Sequence, residues 1–184
     1  KHGIYRNLYN ADKPPKENSL IQSYPQPEEV IVVLGQSYRS TATATILANK
    51  KADIYIFNPD KEVTETCNTE RRDIVNFPLF KLPPNIKFTS DPDIIKKATL
   101  FIQSTNPWQF EVVYPTIQDE LLKNKSIIVN VVKGFSSSPR GIISYDLEDM
   151  GIEKNRLAVA SGAGYPEQMM ERKISGLEIA AIDT

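Results

Sequence analysis

From Val30 onward the apolar residues come in short dense runs, separated by stretches with helical or polar spacing. Val30–Leu34 (VIVVL) is continuous, β-branched and closed by Gly35, the pattern of a strand buried on both faces. Ser40–Lys50 is rich in Ala and Thr and carries Ile46 and Leu47, which predicts a helix. Asp53–Phe57 (DIYIF) reads as a second strand and Asp60–Thr69 as a polar helix. Asp91–Lys97 predicts a short helix capped by Ser90 or Asp91. Leu100–Ser104 (LFIQS) is the next strand, Val112–Leu122 a helix, and Ser126–Val132 (SIIVNVV) a further strand. Ile142–Met150 predicts a helix with Gly151 just past its end, and Leu157–Ala160 and Gly176–Ile182 are strands. Strands alternating with helices predict right-handed β-α-β units. The expected fold class is α/β, a doubly wound, mostly parallel Rossmann-like sheet over residues 30–184 with Val30–Leu34 at its centre.

Residues 1–29 lack this periodicity and hold Pro14, Pro15, Pro25 and Pro27. They read as an extended arm or tail. Two readings stay open for it: a solvated tail, or an arm that docks on a protein partner through Tyr5, Leu8 and Tyr9. A cut presequence leaves a similar start, because the chain does not begin with Met.

Composition narrows the classes. In 184 residues, 40% hydrophobic and 24% charged, there is material for one packed domain of ordinary size. Lys and Arg number 22 against 23 for Asp and Glu, so no general pull toward nucleic acid follows. No apolar run approaches the roughly 18 residues of a membrane span. The single cysteine, Cys67, has no partner for an internal disulfide. The single histidine, His2, lies in the arm, which excludes a core histidine catalyst and a zinc site of ordinary type. The expected location is intracellular, in the mitochondrial matrix or the cytoplasm.

In a doubly wound sheet the ligand crevice lies at the carboxyl ends of the strands. The first turn here is Gly35-Gln36-Ser37-Tyr38-Arg39-Ser40, where the dinucleotide fingerprint wants glycine at 35, 37 and 40. Only Gly35 is kept. Ser37 adds a side chain where pyrophosphate approaches bare backbone, Ser40 is small, and Arg39 offers a charge-assisted contact to phosphate. After the second strand, where an acidic residue would hold the ribose, stand Asn58 and Asp60, the latter also suited to cap a helix.

Asn68-Thr69-Glu70-Arg71, Phe77-Pro78 and Lys81-Leu82-Pro83-Pro84-Asn85-Ile86 follow in order, then Pro107-Trp108-Gln109-Phe110, Lys133-Gly134, Ser161-Gly162-Ala163 and Glu171-Arg172-Lys173-Ile174. Their order and spacing resemble the N-terminal domain of NAD-dependent glycerol-3-phosphate dehydrogenase in its eukaryotic form, from about Val30 to Thr184. The resemblance implies NAD as cofactor. It places Phe110 against the nicotinamide side, Phe57 near the adenosine end and Ala163 as a backbone contact to the nicotinamide amide. It makes Lys133 one of two lysines that stabilise the developing alkoxide. Without the resemblance, Lys133 reads as a solvent-facing lysine at a strand end and Phe110 as a core residue of a helix face.

The departures from the family pattern set the functional expectation. Two of three glycines are gone from the first turn, and Tyr38-Arg39 replace its usual character. Gly164-Tyr165-Pro166-Glu167-Gln168 stands where the family reads close to N-I-A-x-E. The family's helical C-terminal domain, with the second lysine and an Arg-Asn pair for the substrate phosphate, is not within these residues. The expectation is a degenerate, non-catalytic domain that serves as a structural or binding subunit of a larger assembly. Lys133 is then vestigial and NAD binding weak or absent. The alternative is the N-terminal part of an active dehydrogenase that reduces dihydroxyacetone phosphate.

Overall fold

The computed structural model describes residues 29–48, 51–171, 173 and 176–182. The chain order is β1 (Glu29–Leu34), α1 (Tyr38–Leu47), β2 (Ala52–Phe57), α2 (Lys61–Glu70), β3 (Ile86–Thr89), α3 (Ile94–Lys97), β4 (Leu100–Gln103), α4 (Pro107–Val113), α5 (Gln118–Lys123), β5 (Ile127–Asn130), α6 (Ile143–Asp149), β6 (Leu157–Gly162), α7 (Pro166–Met170) and β7 (Leu177–Ala181). The sheet order is β3-β2-β1-β4-β5-β6-β7. Every neighbouring pair is parallel except β6 and β7. This is the doubly wound 3-2-1-4-5-6 order with an antiparallel edge strand added.

The predicted central strand lies where the sequence puts it. β1 pairs with β2 on one side and β4 on the other, Val32 facing Tyr55 and Phe101. Its side chains alternate between two cores. Ile31 and Val33 pack with Ile54, Ile56, Phe88 and Ile102, while Val32 and Leu34 pack with Phe57, Phe101, Phe110 and Ile128. All four are at most 1% exposed. Burial of each stabilises the fold by roughly 1.5–3 kcal/mol before chain entropy is counted. That two-sided burial is why the run is continuous rather than alternating.

Several boundaries differ from expectation for identifiable reasons. Glu29, assigned to the arm, begins β1; the rest of the arm lies outside the described residues. α1 starts at Tyr38 rather than Ser40, because Ser37 is its N-cap. Helix α3 is shorter than predicted, since the Asp91 carboxylate first accepts from the Asp93 N–H and holds a turn. The expected single helix over 112–122 is broken into α4, a 3₁₀ turn at Tyr114–Thr116 and α5. Pro115 has no N–H to give and its ring crowds the preceding turn. α4 begins early, at Pro107, where the Gln109 side chain accepts the Asn106 N–H at 3.2 Å. β3 and α7 were not anticipated; both are short and sit in proline-flanked segments.

Candidate functional site

The order of the strands reverses between β2-β1 and β4, and the first turn lies at that point. Gly35 takes φ +87° and donates its N–H to the Phe57 carbonyl at 3.0 Å. A Cβ built there would lie 2.9 Å from Thr105 Cα, so backbone from β1 and the end of β4 meet without room for a side chain. The role of a first glycine, a tight turn, is therefore intact.

The next two positions are different. Ser37 Oγ accepts the Ser40 N–H at 3.2 Å and Ser40 Oγ accepts the Ser37 N–H at 3.1 Å. Their hydroxyls lie 2.8 Å apart, and both donate toward the Ser104 carbonyl at the end of β4, at 3.0 and 3.3 Å. Both serines are buried. The helix start thus satisfies part of its own donor set internally, with Thr41 N–H taken by the Ser37 carbonyl. The amides of Tyr38 and Arg39 belong to the same first turn, which carries no acidic residue. Arg39 reaches away from the turn: its guanidinium donates to the Gly164 carbonyl at 2.5 Å and lies 3.8 Å from Met169 Sδ. Burial pushes the Arg39 pKa down and nearby Glu167 pulls it back up. It thereby clasps α1 to the loop after β6.

On the β2 side of the turn a polar network fills the interior. Asn58 Nδ2 donates to Gln36 Oε1 at 2.6 Å, and Gln36 Nε2 donates to Asp73 Oδ1 at 2.6 Å. Asp73 is fully buried and also accepts from Thr41 Oγ1, from the Val75 and Asn76 N–H groups and from Asn76 Nδ2. Five donors on one carboxylate make a satisfied buried charge. Asn58 Oδ1 meanwhile accepts the Asp60 N–H at 2.9 Å, and Asp60 caps α2 through the Val63 N–H. Cys67 is buried beside Gln36 Nε2, at 3.6 Å, and burial pushes its thiol pKa up.

On the β4–β5 side a cleft of 190 Å³ remains open, lined by Ser37, Tyr38, Arg39, Ser104, Thr105, Asn106, Val132, Lys133 and Pro166. Lys133 is exposed and its ammonium stands 5.6 Å from the centroid of the Tyr165 ring. Of the sequence-predicted residues, the structure brings together Ser37, Tyr38, Arg39 and Lys133 around this cleft, with Gly35 and Ser40 behind it. Asn58 stands apart in the β2-side network. Phe57 is 1% exposed and belongs to the core. Phe110 is 2% exposed, stacked on Tyr114 with ring centroids 5.0 Å apart, and belongs to the core as well. Ala163 is exposed in the loop after β6.

Residues 30–184 match the model of the NAD-dependent glycerol-3-phosphate dehydrogenase N-terminus. The chain belongs to that family, over its N-terminal NAD-binding domain. Among relatives it is 27% identical over 176 residues to the cytoplasmic NAD-dependent glycerol-3-phosphate dehydrogenase of Oryctolagus cuniculus, covering 83% of this chain and 47% of that one. It is 24% identical over 153 residues to a glycerol-3-phosphate dehydrogenase [NAD(P)+] of Rickettsia bellii, covering 83% of this chain and 48% of the other. The structure of Plasmodium falciparum glycerol-3-phosphate dehydrogenase superposes with a TM-score of 0.74 at 19% identity, over 85% of this chain and 46% of that one. The chain therefore spans about half the length of these relatives.

Three residues of the site escaped sequence reasoning: Gln36, Asp73 and Ser104. A signal existed for Gln36 alone: an amide in the turn and an amide after β2 stand at two facing strand ends and can pair with each other. Asp73 gave none, because it is distant from both in the sequence. Ser104 carried no comparable signal, because its contribution is a carbonyl and a buried hydroxyl.

Proposed function

We propose that this glycerol-3-phosphate dehydrogenase-type domain is non-catalytic and acts as a structural or binding subunit of a larger assembly, with weak or absent affinity for an intact dinucleotide. The observation that carries this reading is the filled β2 side of the crevice. A dinucleotide must lie across both sides of the first turn. Here Gln36 and Asn58 are committed to each other, to Asp73 and to Asp60. An adenosine ribose would have to break a satisfied, partly buried network to gain its own hydrogen bonds, an exchange with little net gain. The Ser37 and Ser40 side chains add to the obstacle at the turn, and Phe57 and Phe110, the rings that the resemblance puts against the cofactor, lie in the core.

The arm of residues 1–29, which apart from Glu29 lies outside the described residues, is proposed to meet the protein partner through Tyr5, Leu8 and Tyr9. An intracellular location, in the mitochondrial matrix or the cytoplasm, belongs to the same proposal. The 184-residue protein mixed with NADH and dihydroxyacetone phosphate is expected to show no substrate-dependent NADH oxidation. Oxidation that starts only on addition of that substrate would refute the non-catalytic reading.

One observation favours a second reading, that of the N-terminal part of an active NAD-dependent dehydrogenase reducing dihydroxyacetone phosphate. Lys133 stands on the rim of the same cleft as the first turn. That is where an ammonium could stabilise charge developing on a substrate oxygen.

A further inference from the structure

A second cavity, of 310 Å³, opens between α4, the loop over residues 134–141 and α6. It shares no lining residue with the cleft at the first turn. Phe110 of α4 and Met150 just past α6 give it apolar walls. Glu111, Asp146 and Asp149 add three carboxylates, and the loop adds serine hydroxyls. No lysine, arginine or histidine lines it. At about 30 Å³ per water molecule, 310 Å³ holds about ten, the lower end of the roughly 300–1,000 Å³ of small-molecule sites.

The three carboxylates differ in what they face. Asp149 is met by Arg140 at 2.8 Å, and Arg140 also stacks over the Tyr145 ring at 3.9 Å, so that cation is committed. Glu111 is exposed, takes part in no salt bridge among the described residues, and accepts the Ser137 hydroxyl, which ties the loop to α4. Asp146 is the deciding residue. It is 6% exposed, and its Oδ1 accepts from the Ser138 hydroxyl at 2.5 Å. Among the described residues no donor reaches its Oδ2 and no cation stands within ion-pair distance. Oδ2 is not sealed from solvent, and the cavity is the open space that Asp146 lines. A carboxylate buried to this degree is ordinarily paired.

We propose that this cavity binds an organic cation, a primary ammonium on a short apolar body, with the ammonium on Asp146 Oδ2 and Glu111 and the body against Phe110 and Met150. An ammonium carries three donors and no acceptor, which matches a wall of carboxylate and hydroxyl oxygens. A hard metal ion matches less well: Ca²⁺ takes roughly six to eight oxygen ligands, and here Phe110 and Met150 present carbon and sulfur. Burial of the body against those two side chains adds the apolar part of the affinity. The proposal is independent of how the crevice is read, because the two sites share no residue.

The test is amide chemical-shift titration of the full 184-residue chain with phenethylamine, with its neutral analogue 2-phenylethanol, with methylamine and with Nα-acetyl-lysine amide. Saturable shifts at Glu111, Ser136–Ser138, Asp146 and Met150 are expected with phenethylamine, much weaker ones with 2-phenylethanol, and none with methylamine, which lacks the body. Asp146→Asn keeps an acceptor for Ser138 and removes the charge. It should weaken phenethylamine binding by about tenfold, the scale of a hydrogen bond to a charged group. Glu111→Gln should weaken it less, and its exposed position leaves the fold intact as the check on Asp146→Asn. Tighter binding of the lysine probe than of phenethylamine would identify a lysine side chain as the source of the ammonium, and the reverse order a free amine. Equal binding of 2-phenylethanol and phenethylamine, shifts that fail to saturate, or indifference to both substitutions would overturn the proposal. Displacement of the amine by NAD would place it in the crevice and overturn the proposal as well.

Discussion

The two sides of the first turn differ in what their polar atoms face. On the β2 side, Gln36, Thr41 and Asn76 converge on Asp73, and Asn58 joins them through Gln36. On the β4–β5 side, Arg39, Lys133 and the Ser104 hydroxyl surround a cleft with no acid in it. Both sides flank the same switch point of the same sheet. The fold determines where a ligand could lie, and the side chains determine whether there is room for one. A Rossmann turn that keeps its first glycine keeps its shape; the residues around it decide between an internal network and an open site.

The largest effect is expected at the centre of the closed side. Asp73→Ala removes the common acceptor of five donors and leaves several buried groups without partners. A loss of about 3–5 kcal/mol is expected, measured by urea unfolding. A loss below about 1 kcal/mol would mean that the network is not what closes that side.

A smaller effect is expected at the turn itself. Replacing Ser37 and Ser40 together by glycine removes the hydroxyl pair and its contacts to the Ser104 carbonyl. Glycine in place of the Ser37 cap costs a few tenths of a kcal/mol and glycine for Ser40 inside the helix about 1 kcal/mol, so the helix should survive. NAD affinity should rise by about tenfold, or about 1.4 kcal/mol, while the closed β2 side keeps it weak. No change in affinity would place the whole obstacle at the Asp73 network.

The smallest effect concerns the core, where Tyr114 stacks on Phe110 with its hydroxyl buried and unpartnered. Burial pushes its pKa up from the usual 10 to about 12, with Arg156 pulling the other way. The folded state therefore holds the phenol proton more tightly than the unfolded state does. Its stabilising contribution is complete below pH 10 and is lost as the pH rises from 10 through about 12. Tyr114→Phe should leave stability at pH 7 unchanged or up to about 1 kcal/mol higher. It should also remove part of the alkaline loss in unfolding experiments at pH 9 to 12. An alkaline profile identical to that of the unchanged chain would contradict the burial of that hydroxyl.

The sheet was legible in the sequence because two-sided burial leaves a continuous apolar run, as in Val30–Leu34, and because Gly35 marks the turn. The break at Pro115 was legible in principle, since proline interrupts a helical ladder wherever the apolar spacing points. The β3 strand was not, because four residues, Ile86–Thr89, carry too little periodicity to distinguish strand from loop. At the site, the first-turn residues and Lys133 were found by position, and the structure gathers them at one cleft. Phe57 and Phe110 enter through the family resemblance alone, and the structure buries both side chains in the core. Asp73 was invisible because it lies 37 residues from its partner Gln36 in a loop whose path only the fold determines.

Calorimetric titration of NAD and NADH into the 184-residue chain addresses the closed crevice most directly. No measurable heat of binding is expected, or a dissociation constant weaker than about 1 mM, equivalent to less than about 4 kcal/mol. A dissociation constant below about 1 μM, or more than about 8 kcal/mol, would show that the Asp73 network and the serine pair yield to a dinucleotide, and would contradict the non-catalytic reading.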